Sequence, residues 1–573
     1  MKMKRTYVII AAIVVIAIIG ASFGYNYFLP STTTTTPKQY PTIVLGTTLD
    51  VAVNLDPGVD YQVGVLNLNN IVFDPLYEVP PGIYPDVVLQ PRLAAGPPVV
   101  SADGLHWTIP LRQNVKFQDG TPFNATAVKF SFDRLSTVQS YSAWLLSSVA
   151  SVDVVDMYTV RFNLNYPNAA LEGALTMPVA GPVSPSAVQS MGNEKFGALA
   201  VGTGPFKYVE WVKGDHVTLA PFEDYWNQSR VPQIKLVYKI YTDSAAMKLA
   251  LQKGDIDIAW DYIATTDYQS LLADPNLKYA NAAEGYHVWM TLNDGIPGSP
   301  LEDVNVRKAI EFSVDQKEIS DLAYHGLYPP SQDTPFLPGF YPKPSWDQYK
   351  PTNIAKAKEL LTAAGHPNGI DVNLYFTPII YGKEIPDVAA LLQAQLAKAG
   401  IRVTLNAVEQ ASFVKNFRAG NYEMAIGIMS PDYPDADNVA SFIASSTGSY
   451  SKRVRLNDTT LDTLVQQGVS TSDPAQRAKI YGDLQDRLAG LAVYVPLVHQ
   501  ANYWFYRLAS VTGVLSYYFQ YSPWWTLQAT GQTSQIISSE LQVVGITVTL
   551  SPPTFKQYAN VLTSTGNVKS TAS

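Results

Sequence analysis

Two periodicities alternate along most of the chain. Runs with apolar residues at every second position, IKLVYKIY at 234–241 and IDVNLYF at 370–376, predict strands with one buried face. Between such runs lie stretches with apolar residues three or four apart, NIAKAKELLTAAG at 353–365 and PDVAALLQAQLAKAG at 386–400, which predict helices. In the second of these Val388, Leu391, Leu392, Leu396 and Ala399 share one face, Gly400 terminates the helix, and IRVTL continues as a strand. Strands and helices in alternation predict an α/β architecture in which helices pack on sheets.

The two ends of the chain break this pattern. Lys2, Lys4 and Arg5 precede an almost unbroken apolar run from Tyr7 to Phe23. Continued through Phe28 it reaches about 20 residues, enough to cross the hydrocarbon of a bilayer, with the cationic end in the cytoplasm and everything after Leu29 outside. Ala21-Ser22-Phe23 makes a poor cleavage site, which favours an uncleaved anchor over a signal peptide. PSTTTTTPK at 30–38 then predicts an extended stalk, and the folded body begins near Tyr40. At the other end LQVVGITVTL (541–550) repeats LAKAGIRVTL (396–405) in register, so the tail 531–573 reads as a partial copy of the unit 391–422.

Composition narrows the function. The chain of 573 residues is too long for one core, and 47% hydrophobic against 15% charged residues means that it folds. A net charge of −8, with no basic block beyond the N-terminus, leaves no footprint for nucleic acid. The absence of cysteine removes disulfides, thiolate metal sites, thiol nucleophiles and a lipid-bearing cysteine together. Sequons at Asn124, Asn227 and Asn457 fit an outside location.

Few motifs carry chemistry. The one G-x-S-x-G match, Gly20–Gly24, lies inside the apolar N-terminal run, where no hydrolase sheet can surround Ser22. His106, His216, His287, His325, His366 and His499 are scattered without metal-ligand spacing, so neither a metal nor a cofactor is expected. GTGPFK (202–207) lacks the spacing of a phosphate cradle and reads as a tight turn. The acidic string from Asp432 to Asp437 lacks the glycine and distal glutamate of a calcium loop. It does follow the apolar strand YEMAIGIM (422–429), the place where an open α/β sheet offers a crevice to ligands.

A longer segment is more specific. DGLHWTIPLRQNVKFQDGTPFNATAVKFSFDRL at 103–135 resembles the signature of the family 5 extracellular solute-binding proteins, the dipeptide, oligopeptide and nickel-binding group. VGTGPFKYVEWVKGD (201–215), APFEDYWN (220–227), AMKLALQKGDIDIA (246–259), LEDVNVRKAIEFSVDQKEI (301–319) and PDYPDADN (431–438) follow in the order of that family. Within LRQNVKFQDGTPF, Leu111, Val115 and Phe117 read as core-facing and Asp119-Gly120 as a turn.

The resemblance implies a bilobal periplasmic-binding-protein-like fold of type II. Segments 43–78, 199–290 and 495–530 would form lobe I, with an extra inserted subdomain at 79–198, and 291–494 would form lobe II. It implies Asp432 as the partner of a peptide α-ammonium, with Tyr433 beside it. Trp289, Trp260 and Tyr61 would face the cleft, and His499 and Gln500 would sit on the return crossing. The chain departs from the family in having Ile428-Met429 where a tryptophan is usual before the aspartate loop, and an N-terminal span in place of the lipid-bearing cysteine. The second departure resembles archaeal surface binding proteins.

The implied function is a monomeric receptor of an ABC importer. It would be held at the cell surface by its N-terminal helix in the bilayer and would pass di- or oligopeptides to permease subunits, making and breaking no bond. Oligosaccharide, stacking on aromatic runs such as YYFQYSPWW (517–525), is the rival ligand, and a secreted hydrolase is the rival from another class.

Overall fold

A computed structural model of the chain describes residues 38–49, 54–80, 88–138, 143–260, 263–331, 334–336, 340–378, 381–514 and 524–530. The N-terminal apolar run, most of the Thr-rich stalk and the repeat-bearing tail lie outside these residues. No helix among the described residues is long and apolar enough to cross a membrane. Those from Thr42 onward belong to one compact unit.

Its framework is a ten-stranded mixed sheet. The strands are β1 (Thr42–Thr47), β2 (Phe206–Val212), β3 (His216–Pro221), β4 (Lys235–Ile240), β5 (Ile258–Ala259), β6 (Leu277–Leu292), β7 (Ile370–Phe376), β8 (Ile401–Ala407), β9 (Met424–Met429) and β10 (Tyr494–Arg507). Across the sheet they run β8-β7-β9-β6-β10-β5-β1-β4-β3-β2. Strands β1, β4 and β5 are parallel, as are β7, β8 and β9, so each end of the sheet has a parallel core. Two long antiparallel strands, β6 and β10, join these ends. The last half of β10 pairs with β5 on one side and with the first half of β6 on the other, while the second half of β6 pairs with β9. Between Ala282 and Tyr286 the β6–β10 register breaks, where the pair passes from one set of neighbours to the other.

The elements follow the sequence patterns closely. IDVNLYF forms β7 with Ile370, Val372, Leu374 and Phe376 turned inward onto the helix Ile385–Ala397 through Val388, Leu392 and Leu396. Each such buried side chain contributes about 1.5–3 kcal/mol of transfer free energy. Gly400, at φ +91, turns the chain from that helix into β8, a backbone geometry that costs glycine nothing. Asn353 caps the helix Ile354–Ala363 by accepting from the Lys356 amide.

The region between β1 and β2 carries a four-stranded antiparallel sheet of Val99–Val100, His106–Pro110, Thr159–Leu164 and Val149–Asp156. Leu111, Val115 and Phe117 are buried as their spacing predicts, and Gly120, at φ +84, makes the turn after Asp119. Beneath this region lies a set of buried charges that sequence patterns do not show. Arg92 pairs with Asp74 at 2.6 Å and Arg230 forks onto Glu78 at 2.8 and 2.9 Å. Tyr225 and Trp226 donate to the Asp74 carboxylate at 3.1 and 2.9 Å, and the Trp525 ring covers both guanidinium groups. Burial alone would push Glu78 up, but Arg230 and Arg92 outweigh it and hold the carboxyl below the ordinary glutamate range.

GTGPFK is a tight bend, and its glycines serve packing. A Cβ on Gly202 would stand 2.2 Å from the Val72 carbonyl oxygen, and one on Gly204 would stand 2.6 Å from that of Ile71. The bend therefore docks against the end of the helix Val63–Val72.

Candidate functional site

Strand β9 delivers the acidic string to the carboxyl edge of the parallel group it shares with β7 and β8. Prolines 431 and 434 keep the loop out of helix until Asp435 caps the helix Ala436–Ile443, accepting from the Asp437 amide at 2.8 Å. Asp435 is also clamped by Arg477, at 2.5 and 2.9 Å. Asp437 accepts from Ser441 at 3.0 Å and from the Tyr433 hydroxyl at 3.3 Å, and burial followed by repulsion from Asp435 pushes it up to about 7. Two of the three aspartates thus have structural work within the loop.

Asp432 differs from both. Its amide donates to Asn438 Oδ1 at 2.7 Å, which fixes the backbone of the loop. The carboxyl is deeply buried, while the residue as a whole keeps partial contact with solvent. Burial pushes it up to about 7, and the polar side chains of Tyr61 and Asn438 oppose the rise. The groups supporting its charged form are therefore a phenol and an amide.

Tyr61, which precedes the helix Val63–Val72, brings the β1 side of the sheet to the β9 side. Its ring meets Trp144 edge-on at 6.4 Å, and Trp144 in turn tilts against Phe442 at 5.2 Å, one helical turn beyond Asn438. Gly173 lets the inserted region approach as well, because a Cβ there would lie 3.3 Å from the Tyr433 ring. The Ala169 amide donates to the Val469 carbonyl at 2.7 Å nearby.

The remaining expected residues take other surroundings. Trp289 is buried, stacked on Tyr494 at 4.7 Å and tilted toward Tyr450 at 5.5 Å. Trp260 follows β5 and is buried against Tyr238 and Trp524, with Trp504 next to Trp524. His499 is buried with its ring against His287, and Gln500 is hydrogen-bonded with Tyr328 in a cluster that includes Tyr268. Asp432, Tyr433 and Tyr61 are thus brought together, whereas Trp260 and Trp289 pack into surrounding aromatic groups.

Sequence reasoning passed over Trp144, Asn438 and Glu384. Glu384 accepts from both the amide and the hydroxyl of Thr265 at 2.7 Å, a buried tie between distant segments. Of the three, Asn438 alone had a signal, since it closes the PDYPDADN segment.

The sequence profile described as "Bacterial extracellular solute-binding proteins, family 5 Middle" matches residues 88–451, more than half of the chain. The chain belongs to this family. Among curated relatives, the glutathione-binding protein GsiB of Salmonella typhi is 27% identical over 433 residues, covering 73% of this chain and 82% of that protein. Heme-binding protein A of Haemophilus influenzae is 28% identical over 431 residues, covering 70% and 78%. Among solved structures, the periplasmic binding protein DppA of Helicobacter pylori in complex with the peptide STSA superposes with a TM-score of 0.72 at 26% identity, covering 86% of this chain and 98% of DppA. AgaA of A. tumefaciens R10 in complex with agropinic acid gives the same TM-score and identity, covering 86% and 99%.

This family 5 protein is accordingly an extracellular substrate-binding protein of the ABC-transporter type with a mixed α/β periplasmic-binding-protein fold. These relatives are named as binding proteins. Their ligands differ in chemistry, so membership of family 5 alone does not select one.

Proposed function

We propose that this protein captures short peptides between two lobes and delivers them to an ABC permease, with Asp432 pairing with the peptide α-ammonium. The observation that carries the reading is the Asp432 carboxyl itself, deeply buried, supported by a phenol and an amide, and pushed up to about 7 by burial. A carboxyl in that position gains most from a cation that arrives with the ligand, since a desolvated charge pair with direct hydrogen bonds is worth far more than an exposed one. Main-chain hydrogen bonds to the rest of the peptide would tolerate varied side chains.

The lobes would be 43–78, 199–290 and 495–530 on one side, with the insertion 79–198, and 291–494 on the other. The β6–β10 register break would serve as the flexible crossing between them. Residues 1–29 would hold the body outside the cytoplasmic membrane, and 30–42 would act as its stalk. Trp289, Trp260, His499 and Gln500 would support the crevice from behind.

A second reading has one observation in its favour. The indole N–H groups of Trp504, Trp524 and Trp525 are buried without hydrogen-bond partners, a donor set that suits the hydroxyl acceptors of an oligosaccharide. Calorimetry with a di- to pentapeptide pool against cello- and malto-oligosaccharides decides between them. Peptide heats with silent sugars are expected; sugar heats with silent peptides would overturn the peptide reading.

A further inference from the structure

His287 and His499 stand 212 positions apart in the chain and face each other across β6 and β10, their ring centroids 4.4 Å apart. On its other side His287 is paired in register with Met429 of β9. The adjoining row, Ile428, Val288 and Val498, belongs to the core on the opposite face of the sheet. Side chains alternate along a strand, so Met429, His287 and His499 project together from the other face, neighbours across three strands. All three are sealed, at 1%, 2% and 3% exposure.

This row contains an unsatisfied group. Neither ring nitrogen of His287 has a hydrogen-bond partner, although the ring is sealed from water. His499 Nε2 lies 3.4 Å from the Ser331 hydroxyl.

We infer that Met429, His287 and His499 form a binding site for a soft monovalent metal ion, with copper(I) as its biological occupant. The donor set determines the class. A thioether with two imidazoles is soft and uncharged, which selects copper(I) and disfavours calcium and magnesium, whose ligands are oxygens. Among the described residues no group of three or more His, Asp or Glu side chains is placed to hold a metal, and the inferred site takes its third donor from the thioether paired in register with His287. Spacing along the sequence could not reveal the site, because its three members come from three separate strands.

The three donors do not include Asp432, and the test is made without peptide. The full-length protein is loaded with copper(I) under ascorbate, or with silver(I) as a redox-inert probe, against a competing chelator, and the copper first shell is read by X-ray absorption. One equivalent with two nitrogen neighbours and one sulfur neighbour is expected. The chain has no cysteine, so that sulfur must be a methionine. Met429→Leu keeps side-chain volume and should remove the sulfur neighbour and weaken binding at least about tenfold, the scale on which even outer-shell changes act. His287→Phe should weaken binding comparably, with an unchanged thermal midpoint confirming the fold. A copper shell without sulfur, a sulfur that survives Met429→Leu, or no retention of either ion overturns the inference.

Discussion

The Tyr61 side chain, from the segment before the helix Val63–Val72, opposes the upward push that burial gives the Asp432 carboxyl in the loop after β9. Tyr61 follows β1 and Asp432 follows β9, strands on opposite sides of the β6–β10 pair, and this carboxyl is the group that the proposed pairing with a peptide ammonium uses.

The first consequence is a pH dependence with a definite sign. In the folded, ligand-free protein Asp432 titrates at about 7, against 3.8 ordinarily. Below 7 the free protein holds a proton that an incoming ammonium must expel, so peptide binding releases a proton and affinity falls with falling pH, at most about tenfold per unit. Above about 8 the peptide amino group loses its own charge, so affinity peaks between roughly 7 and 8. Calorimetry at pH 6 in buffers of different ionisation enthalpy measures the released proton directly. Tyr61→Phe removes the phenol hydroxyl that lowers the Asp432 value, so the acid limb of the profile moves to higher pH.

The same group affects stability without ligand. Between about pH 4 and 7 the folded protein keeps a proton that the unfolded chain has shed, so this carboxyl makes stability fall as pH rises through that window. Asp432→Asn removes this part of the slope, as denaturant unfolding at pH 5 and pH 8 will show.

Much of the fold was legible in local pattern. IDVNLYF and the helix after it are where their periodicities put them, because each buries one face against a neighbour close in sequence. Leu111, Val115, Phe117 and the Asp119-Gly120 turn are likewise local features. The candidate site was legible only where a loop follows a strand, as at Asp432. Trp144, Glu384 and the His287–His499 contact depend on chain segments far apart in sequence, and no periodicity encodes such meetings. Trp260 and Trp289 show the limit of reading function from residue type, since an indole serves equally as core and as cleft wall.

The buried charge set predicts a large stability effect. Arg92→Ala leaves Asp74, fully buried, without its arginine counter-ion and Glu78 with Arg230 alone, at a cost of about 3–5 kcal/mol. Glu78 is held below its ordinary value, so it contributes stability that is present above about 4.5 and lost as pH falls through its folded value. The deficit of Arg92→Ala in urea unfolding should therefore be largest near neutrality and shrink in acid.

The two glycine types in the recognised segments should respond differently to alanine. Gly202→Ala drives a Cβ onto the Val72 carbonyl oxygen, backbone against backbone, and should cost about 1–3 kcal/mol or more. Gly120→Ala meets open space but sits at φ +84, and should cost about 1–2 kcal/mol from backbone strain alone. Thermal unfolding of the two variants ranks them.

The most direct measurement compares one peptide with its N-acetylated form on the wild-type protein and on Asp432→Asn at pH 7.5. Acetylation should cost the wild type about 2–5 kcal/mol of binding free energy, the range for truncating one partner of a buried charge pair, and should cost Asp432→Asn little. Equal penalties on the two proteins, or none on the wild type, would contradict the pairing of Asp432 with the peptide amino terminus.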